Sequence, residues 1–190
     1  MKFHVVGGGM AAFLKAGGQD VVSTVDEADA LLFTGGSDVT PSLYNAEKDP
    51  RTSCSWARDI EDLNFLGTGE ARGLALVGIC RGAQFLNVML GGTLHQHVEG
   101  HRGSHKMYTK EGDSMLVTST HHQMLCLPNE EDCELLAWGK ENTNPLIDIQ
   151  PEVVHYPRHR ALAVQYHPEY MDKHTRGFSY FFECLEEYLV

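Results

Sequence analysis

The chain has 190 residues, of which 42% are hydrophobic and 22% are charged, and this composition is typical of a globular protein that can bury one substantial core. Its formal net charge of −11 argues against a surface that binds nucleic acid or an anionic membrane, but not against a small anionic substrate. The N-terminal apolar stretch is too short for a signal peptide and no stretch is long enough to span a bilayer, so we expect a single cytoplasmic domain over residues 1–190.

The five cysteines are odd in number and widely spaced, and none belongs to a CxxC pair. This spacing predicts neither a zinc knuckle nor a disulfide framework, which favours a reducing compartment. The cysteines are Cys54, Cys80, Cys126, Cys133 and Cys184.

Histidine is abundant, with 11 residues, and His95, His97, His101 and His105 are close together in the sequence. A metal site must therefore be considered. The spacing matches no HExxH motif, however, and no carboxylate completes a site at a helical interval. We expect no metal and no cofactor, and interpret these four residues as surface histidines of a loop.

The first part of the chain predicts alternating short strands and helices. We expect strands over 2–6, 20–23 and 30–33, helices over 10–16 and 56–66, and a polar surface loop over 41–55. This order is typical of an open α/β sheet, whose ligands bind at the carboxyl ends of its strands.

Gly35 and Gly36 follow the third predicted strand at such an end. Two adjacent glycines let the backbone approach a ligand and direct N–H groups at it, as an oxyanion hole requires. A plain tight turn explains the same pair equally well.

Cys80 lies between an apolar strand, residues 74–77, and a predicted helix, residues 83–90, with Gly78 and Gly82 two positions to either side. This is the arrangement of a nucleophile elbow, a turn too tight for side chains beside the nucleophile. The helix N-terminus that follows favours thiolate over thiol. A buried structural cysteine is the alternative reading of this segment.

The second part of the chain predicts mainly strands. Residues 93–110 have no periodicity and predict a loop or an irregular edge. Strands are expected over 114–118, 134–138, 147–149, 153–156 and 161–166, with a turn at 142–145, and an amphipathic helix over 176–190. The expected fold is α/β, with an open, mostly parallel central sheet, helices on both faces and a small antiparallel extension.

The last predicted strand ends at His167, Pro168 and Glu169. Alternate residues of an extended chain point to the same side, so the histidine and the glutamate can act together. A cysteine nucleophile needs a base and a third group that orients the base. Together with Cys80, these residues favour a catalytic triad.

These motifs resemble those of class I glutamine amidotransferases. Residues 78–84 resemble the nucleophile motif of that superfamily, and residues 165–169 resemble its second catalytic motif. The sequence is similar to the peptidase C26-like branch, which contains γ-glutamyl hydrolases and γ-glutamyl-γ-aminobutyrate hydrolases. The similar segments are residues 34–38, residues 41–44, Arg58-Asp59, the Cys80-Arg81-Gly82 form and residues 119–123. The resemblance implies a flavodoxin-like fold.

The resemblance also implies roles for individual residues. Cys80 would be the nucleophile, His167 the general base and then acid, and Glu169 the residue that orients the histidine. The backbone N–H groups of Gly36 and Arg81 would form an oxyanion hole. The residues implied in holding the glutamyl group are Gly35, Gln84 and His121.

The reaction that the resemblance implies is cleavage of a γ-glutamyl amide through a γ-glutamyl thioester on Cys80. We expect a stand-alone hydrolase whose partner is a small γ-glutamyl substrate or glutamine. The alternative is a glutaminase subunit that supplies ammonia to a separate synthetase, and such a subunit would have an exposed apolar docking face. A third reading is a non-catalytic binding module of the same fold. The amine leaving group and the oligomeric state are not specified by the sequence.

Overall fold

A computed structural model describes residues 1–99, 101–139 and 149–190. No helix within these ranges combines the length and apolar character needed to cross a membrane. The strands are β1 (Lys2–Val6), β2 (Asp20–Val21), β3 (Ala30–Phe33), β4 (Ala75–Ile79), β5 (Thr93–His95), β6 (Gly103–Thr109), β7 (Ser114–Ser119), β8 (Met124–Cys126), β9 (Glu134–Gly139), β10 (Gln150–Tyr156) and β11 (Ala161–Val164). The helices are α1 (Ala11–Ala16), α2 (Trp56–Arg72), α3 (Arg81–Met89) and α4 (Arg176–Leu189).

Nine strands form one sheet in the order β2-β1-β3-β4-β11-β10-β9-β6-β7. The first five strands of this order are parallel to one another, and the remaining four continue the sheet in antiparallel fashion. β5 and β8 form a separate antiparallel pair. The predicted α/β fold, with a parallel central sheet and an antiparallel extension, is confirmed.

The core has two layers, one on each face of the parallel strands. Along β3, Ala30 and Leu32 pack with α1 and α4, whereas Leu31 and Phe33 pack with α2 and α3. This alternation follows from the two-residue period of a strand that is covered on both faces. The parallel strands thereby lie between two helical layers.

α2 is longer than predicted, because the helix continues through Gly67 and Gly69 to Arg72. A Cβ atom at Gly69 would lie 2.8 Å from Leu31 Cδ1 and 2.9 Å from Leu76 Cδ2, so the missing side chain lets the helix pack closely on the sheet. The predicted helix end at residue 66 is therefore wrong. Packing outweighs the weak helix propensity of glycine here.

The prediction of a loop or irregular edge over residues 93–110 is also wrong. This segment contains β5 and β6. The three-residue strand β8 was not predicted either. In β6 the buried positions are His105, Met107 and Thr109, so polar residues on the inner face conceal the two-residue period. The predicted turn at 142–145 and the first two residues of the predicted strand at 147–149 lie outside the described residues.

Candidate active site

Cys80 occupies a sharp turn between β4 and α3, at the carboxyl end of the parallel sheet. Its backbone has φ 53° and ψ −108°, a conformation that is uncommon and strained for a residue with a side chain. A Cβ atom at Gly78 would lie 2.4 Å from the carbonyl carbon of Gly82, and one at Gly82 would lie 2.0 Å from the carbonyl oxygen of Phe33. Close packing therefore requires both glycines, as expected of a nucleophile elbow.

His167 follows β11 and lies close to Cys80. Its Nδ1–H donates a hydrogen bond of 2.7 Å to Oε1 of Glu169, and its Nε2 lies 2.8 Å from Oγ1 of Thr120. A Cβ atom on Gly35 would lie 3.5 Å from Cε1 of His167 and 3.9 Å from Cβ of Cys80. The glycine thus leaves space open beside both side chains.

The electrostatic surroundings of His167 favour its charged form. Burial lowers its pKa, but the hydrogen bonds to Cys80 and to Glu169 outweigh burial, and the pKa is raised above the ordinary histidine value. Such a histidine can hold the proton of a neighbouring thiol while a carboxylate stabilises the resulting cation. The arrangement can therefore support nucleophilic chemistry at sulfur.

Arg81, the first residue of α3, has its side chain in a buried ionic cluster. Its guanidinium pairs with the carboxylates of Asp59 and Asp62 in α2 and donates from Nε to the carbonyl oxygen of Ser37 at 3.1 Å. Burial lowers the pKa of Arg81 to about 10. The cluster connects the helix after the nucleophile to the glycine loop after β3.

Arg58 holds the same loop from its other side. Its Nε lies 2.9 Å from Oδ1 of Asp62, and its Nη2 donates to the carbonyl oxygen of Thr34 at 3.3 Å. A Cβ atom on Gly36 would lie 3.4 Å from Nη1 of Arg58. The side chains of Arg58 and Arg81 therefore fix the position of the predicted oxyanion loop from behind.

Two residues predicted to hold the substrate, Gln84 and His121, have buried side chains. Nε2 of Gln84 donates to the carbonyl oxygen of Gln123 and to Oε1 of Gln165, each at 3.3 Å. Nδ1 of His121 donates to the same carbonyl oxygen of Gln123 at 2.8 Å. Both side chains thus anchor the main chain of the loop between β7 and β8.

The interpretation of the clustered histidines as surface residues is wrong for two of them. His101 and His105 are buried, whereas His95 and His97 are half-buried. The physical reason is that β6 begins two residues after His101 and carries His105 on its inner face, so that both rings lie near Glu152 of β10.

Sequence reasoning also missed two neighbours of the histidine. Thr120 contacts Nε2 of His167, and the ring of Tyr170 stacks on the imidazole with centroids 4.6 Å apart. Thr120 lies within a segment that the resemblance singled out, and Tyr170 directly follows the Pro168-Glu169 pair. The motif over 119–123 therefore already contained Thr120, and extending the motif over 165–169 by one residue would have included Tyr170.

Comparison with known proteins places these features in a family context. A family model described as Peptidase C26 matches residues 2–144. A Mycobacterium tuberculosis protein named "Putative glutamine amidotransferase Rv2859c" is 33% identical over 173 residues, which cover 80% of this chain and 54% of that protein. The chain thus spans about half the length of this relative.

Solved structures show the same fold. The structure titled PurLQS from Thermotoga maritima superposes with a TM-score of 0.70 at 16% identity, covering 100% of this chain and 99% of that one. A glutamine amidotransferase from Thermotoga maritima superposes with a TM-score of 0.65 at 13% identity, covering 98% of this chain and 82% of that one.

Proposed function

The chain belongs to the peptidase C26 family, as the sequence resemblance predicted, and on this premise we propose that it is a cysteine-dependent hydrolase of γ-glutamyl amides. Membership of this family and the names of its relatives support hydrolysis of a C–N bond. The observation that carries the finer proposal is the strained turn at Cys80 beside a histidine that is hydrogen-bonded to Glu169.

The proposed reaction begins with attack of the Cys80 sulfur on the γ-carbonyl carbon, with its proton held by His167. The C–N bond then breaks as His167 donates that proton to the departing amine, leaving a γ-glutamyl thioester. Water attacks the thioester with His167 as base, which releases glutamate and restores the thiol. Throughout, Glu169 keeps the histidine in one tautomer and stabilises its cation.

Negative charge develops on the carbonyl oxygen in both steps. We assign its stabilisation to the backbone N–H groups of Gly36 and Arg81, because the first N–H groups of α3 have no intrahelical acceptor. Donors of this kind typically contribute about 3 kcal/mol each to the transition state. The buried salt bridges of Arg81 support this role by keeping the two donors at a fixed separation.

The glutamyl group would lie beside Gly35, where the backbone leaves room next to Cys80 and His167. Gln84 and His121 would help to hold the glutamyl group without touching it. Both side chains donate to the carbonyl oxygen of Gln123 and so fix the loop beside the pocket. In this proposal they position the wall of the pocket, which makes their effect on substrate affinity indirect.

The test is a parallel assay of glutamate release from glutamine, γ-glutamyl-γ-aminobutyrate and a poly-γ-glutamate. We expect the intact protein to cleave at least one of them and Cys80→Ala to lose all turnover while retaining its fold. Cys133→Ala is the matched control, because Cys133 is a half-buried cysteine near β9. Turnover by Cys80→Ala would contradict the proposal.

One observation favours the second candidate, a glutaminase subunit of an amidotransferase with a synthetase partner. Leu116 and Tyr170 are 66% and 64% exposed, and Tyr170 stacks directly on the ring of His167. An exposed aromatic ring stacked on the proposed catalytic histidine is suited to burial under a partner protein. Cleavage of glutamine only after a synthetase is added would support this candidate over the stand-alone hydrolase.

We also propose a cytoplasmic location. All five cysteines are free, which fits a compartment that keeps thiols reduced. A thiol nucleophile needs the same condition, because a disulfide at Cys80 would abolish the chemistry.

A further inference from the structure

Four titratable side chains form a buried group near His167, and we call them the His–Glu cluster: His101, His105, His121 and Glu152. His101 precedes β6, His105 lies in β6, His121 follows β7 and Glu152 lies in β10. Each side chain is more than nine-tenths buried, and Glu152 has no exposed surface. The proposed catalytic mechanism does not use His101, His105 or Glu152, and it assigns His121 only an indirect role.

Potential ligand atoms of three of the four residues lie close to one another. One nitrogen of His101, one nitrogen of His121 and one carboxylate oxygen of Glu152 all lie within 4.8 Å of one another. Nδ1 of His101 is 3.9 Å from Oε1 of Glu152. The rings of His101 and His121 are stacked, with centroids 4.8 Å apart and an interplanar angle of 25°.

The hydrogen bonds around these atoms leave lone pairs available. Nδ1 of His121 must carry its proton, because it faces the carbonyl oxygen of Gln123 at 2.8 Å, and Nε2 is therefore unprotonated in the neutral ring. Within the part of the chain that the structure describes, no hydrogen-bond partner reaches Nε2 of His121, Nδ1 of His101 or Oε2 of Glu152. Buried polar atoms without partners are rare and need an explanation.

The neighbours of the cluster resemble the outer shell of a metal site. A ligating histidine usually donates its second N–H to a carbonyl or carboxylate oxygen, as His121 does to Gln123. The carboxylate of Glu152 is in turn oriented by Nε2 of His105, 2.8 Å from Oε1. The supporting hydrogen bonds of a metal site are thus present around His121 and Glu152.

We propose that His101, His121 and Glu152 bind one divalent transition-metal ion, for which Zn²⁺ is the best match to two imidazoles and a carboxylate. Ligands about 2.1 Å from a tetrahedral ion lie roughly 3.4 Å apart, so binding must draw the widest-spaced pair closer by about 1.4 Å. The ion would connect the segment before β6, the loop after β7 and β10. It would thereby stabilise the chain next to Thr120 and His167.

The test measures Zn²⁺ and Co²⁺ binding to metal-free Cys80→Ala protein by calorimetry and visible absorption. The alanine background removes the reactive thiolate as a competing ligand and makes the result independent of hydrolase activity. We expect one ion per chain, a cobalt absorption band typical of tetrahedral coordination, and a higher melting temperature with Zn²⁺. Glu152→Gln and His101→Asn should each weaken binding at least tenfold.

His174→Asn is the control, because His174 is an exposed histidine outside the cluster. The proposal would be overturned if the Cys80→Ala protein failed to bind one ion, or if Glu152→Gln and His174→Asn bound it with equal affinity. The cluster would then be explained as a buried hydrogen-bonded network that shares a proton. Circular dichroism without metal verifies that each variant is folded. If His101→Asn fails to fold, the nearly isosteric Glu152→Gln still decides the result.

Discussion

His167 and Glu169 are joined by one short hydrogen bond, with Nδ1 2.7 Å from Oε1. Because a carboxylate oxygen can only accept, the bond places a proton on Nδ1 and directs Nε2 toward Thr120 and Cys80. The orientation of the proposed catalytic base therefore depends on a residue only two positions away in the sequence.

Replacing this carboxylate by an amide tests that dependence. Glu169→Gln can present an N–H group to Nδ1, which favours the wrong tautomer and removes the negative charge. We expect kcat to fall by about two to four orders of magnitude while the melting temperature changes little. Steady-state kinetics on a γ-glutamyl amide measure the effect, with Glu183→Gln on the exposed face of α4 as control. An unchanged kcat would exclude an orienting role for Glu169.

The charge state of His167 should depend on Cys80. The hydrogen bond and charge interaction with the cysteine raise the pKa of His167 against the opposing effect of burial. Cys80→Ala removes this contribution, so the pKa must fall relative to the intact protein. NMR titration of the imidazole nitrogens measures it. Equal pKa values in the two proteins would show that His167 and Cys80 do not interact. Cys133→Ala is the control and should leave the pKa of His167 unchanged.

The glycine after the nucleophile should not tolerate a side chain. A Cβ atom at Gly82 would lie 2.0 Å from the backbone oxygen of Phe33, so Gly82→Ala must displace α3 from β3. We expect the free energy of unfolding to fall by about 3 kcal/mol. Gly67→Ala is the matched control inside α2. No atom of the described residues lies within 4 Å of the added Cβ position, and the substitution should stabilise the protein by roughly 0.5–1 kcal/mol. Urea unfolding distinguishes the two, and similar effects of both substitutions would be inconsistent with the packing described.

The buried ion pairs of Arg81 should matter far more than an exposed pair. Arg81→Leu leaves the carboxylates of Asp59 and Asp62 buried without their main partner, which should cost about 3–5 kcal/mol of stability. Arg72→Leu removes the exposed pair with Asp26 and should change stability by less than about 1 kcal/mol. Chemical denaturation of both variants tests this difference. A small effect of Arg81→Leu would mean that the cluster does not hold the loop.

The sequence allowed prediction of features that depend on local signals. Cys80 was identified from flanking glycines between an apolar strand and a helix, and His167 with Glu169 from their position after a buried strand. The end of α2 was missed because tertiary packing at Gly69 overrides helix propensity.

The His–Glu cluster could not have been predicted from spacing. Glu152 is 47 residues from His105, and the two meet only because β9 pairs with both β6 and β10 in the antiparallel half of the sheet. Metal motifs in sequences are recognised by short, regular intervals, and none exists here. Contacts of this kind become visible only when the strand order is known.

The central claim is that Cys80 is a nucleophile in a site that recognises a γ-glutamyl group. The most direct test is reaction of the protein with the chloromethyl ketone analogue of glutamine, followed by peptide mapping in the mass spectrometer. We expect stoichiometric alkylation of Cys80, with protection by a γ-glutamyl substrate and little reaction at Cys54, Cys126 or Cys133. Alkylation of Cys80 no faster than of those cysteines, or no protection by any γ-glutamyl compound, would contradict the central claim.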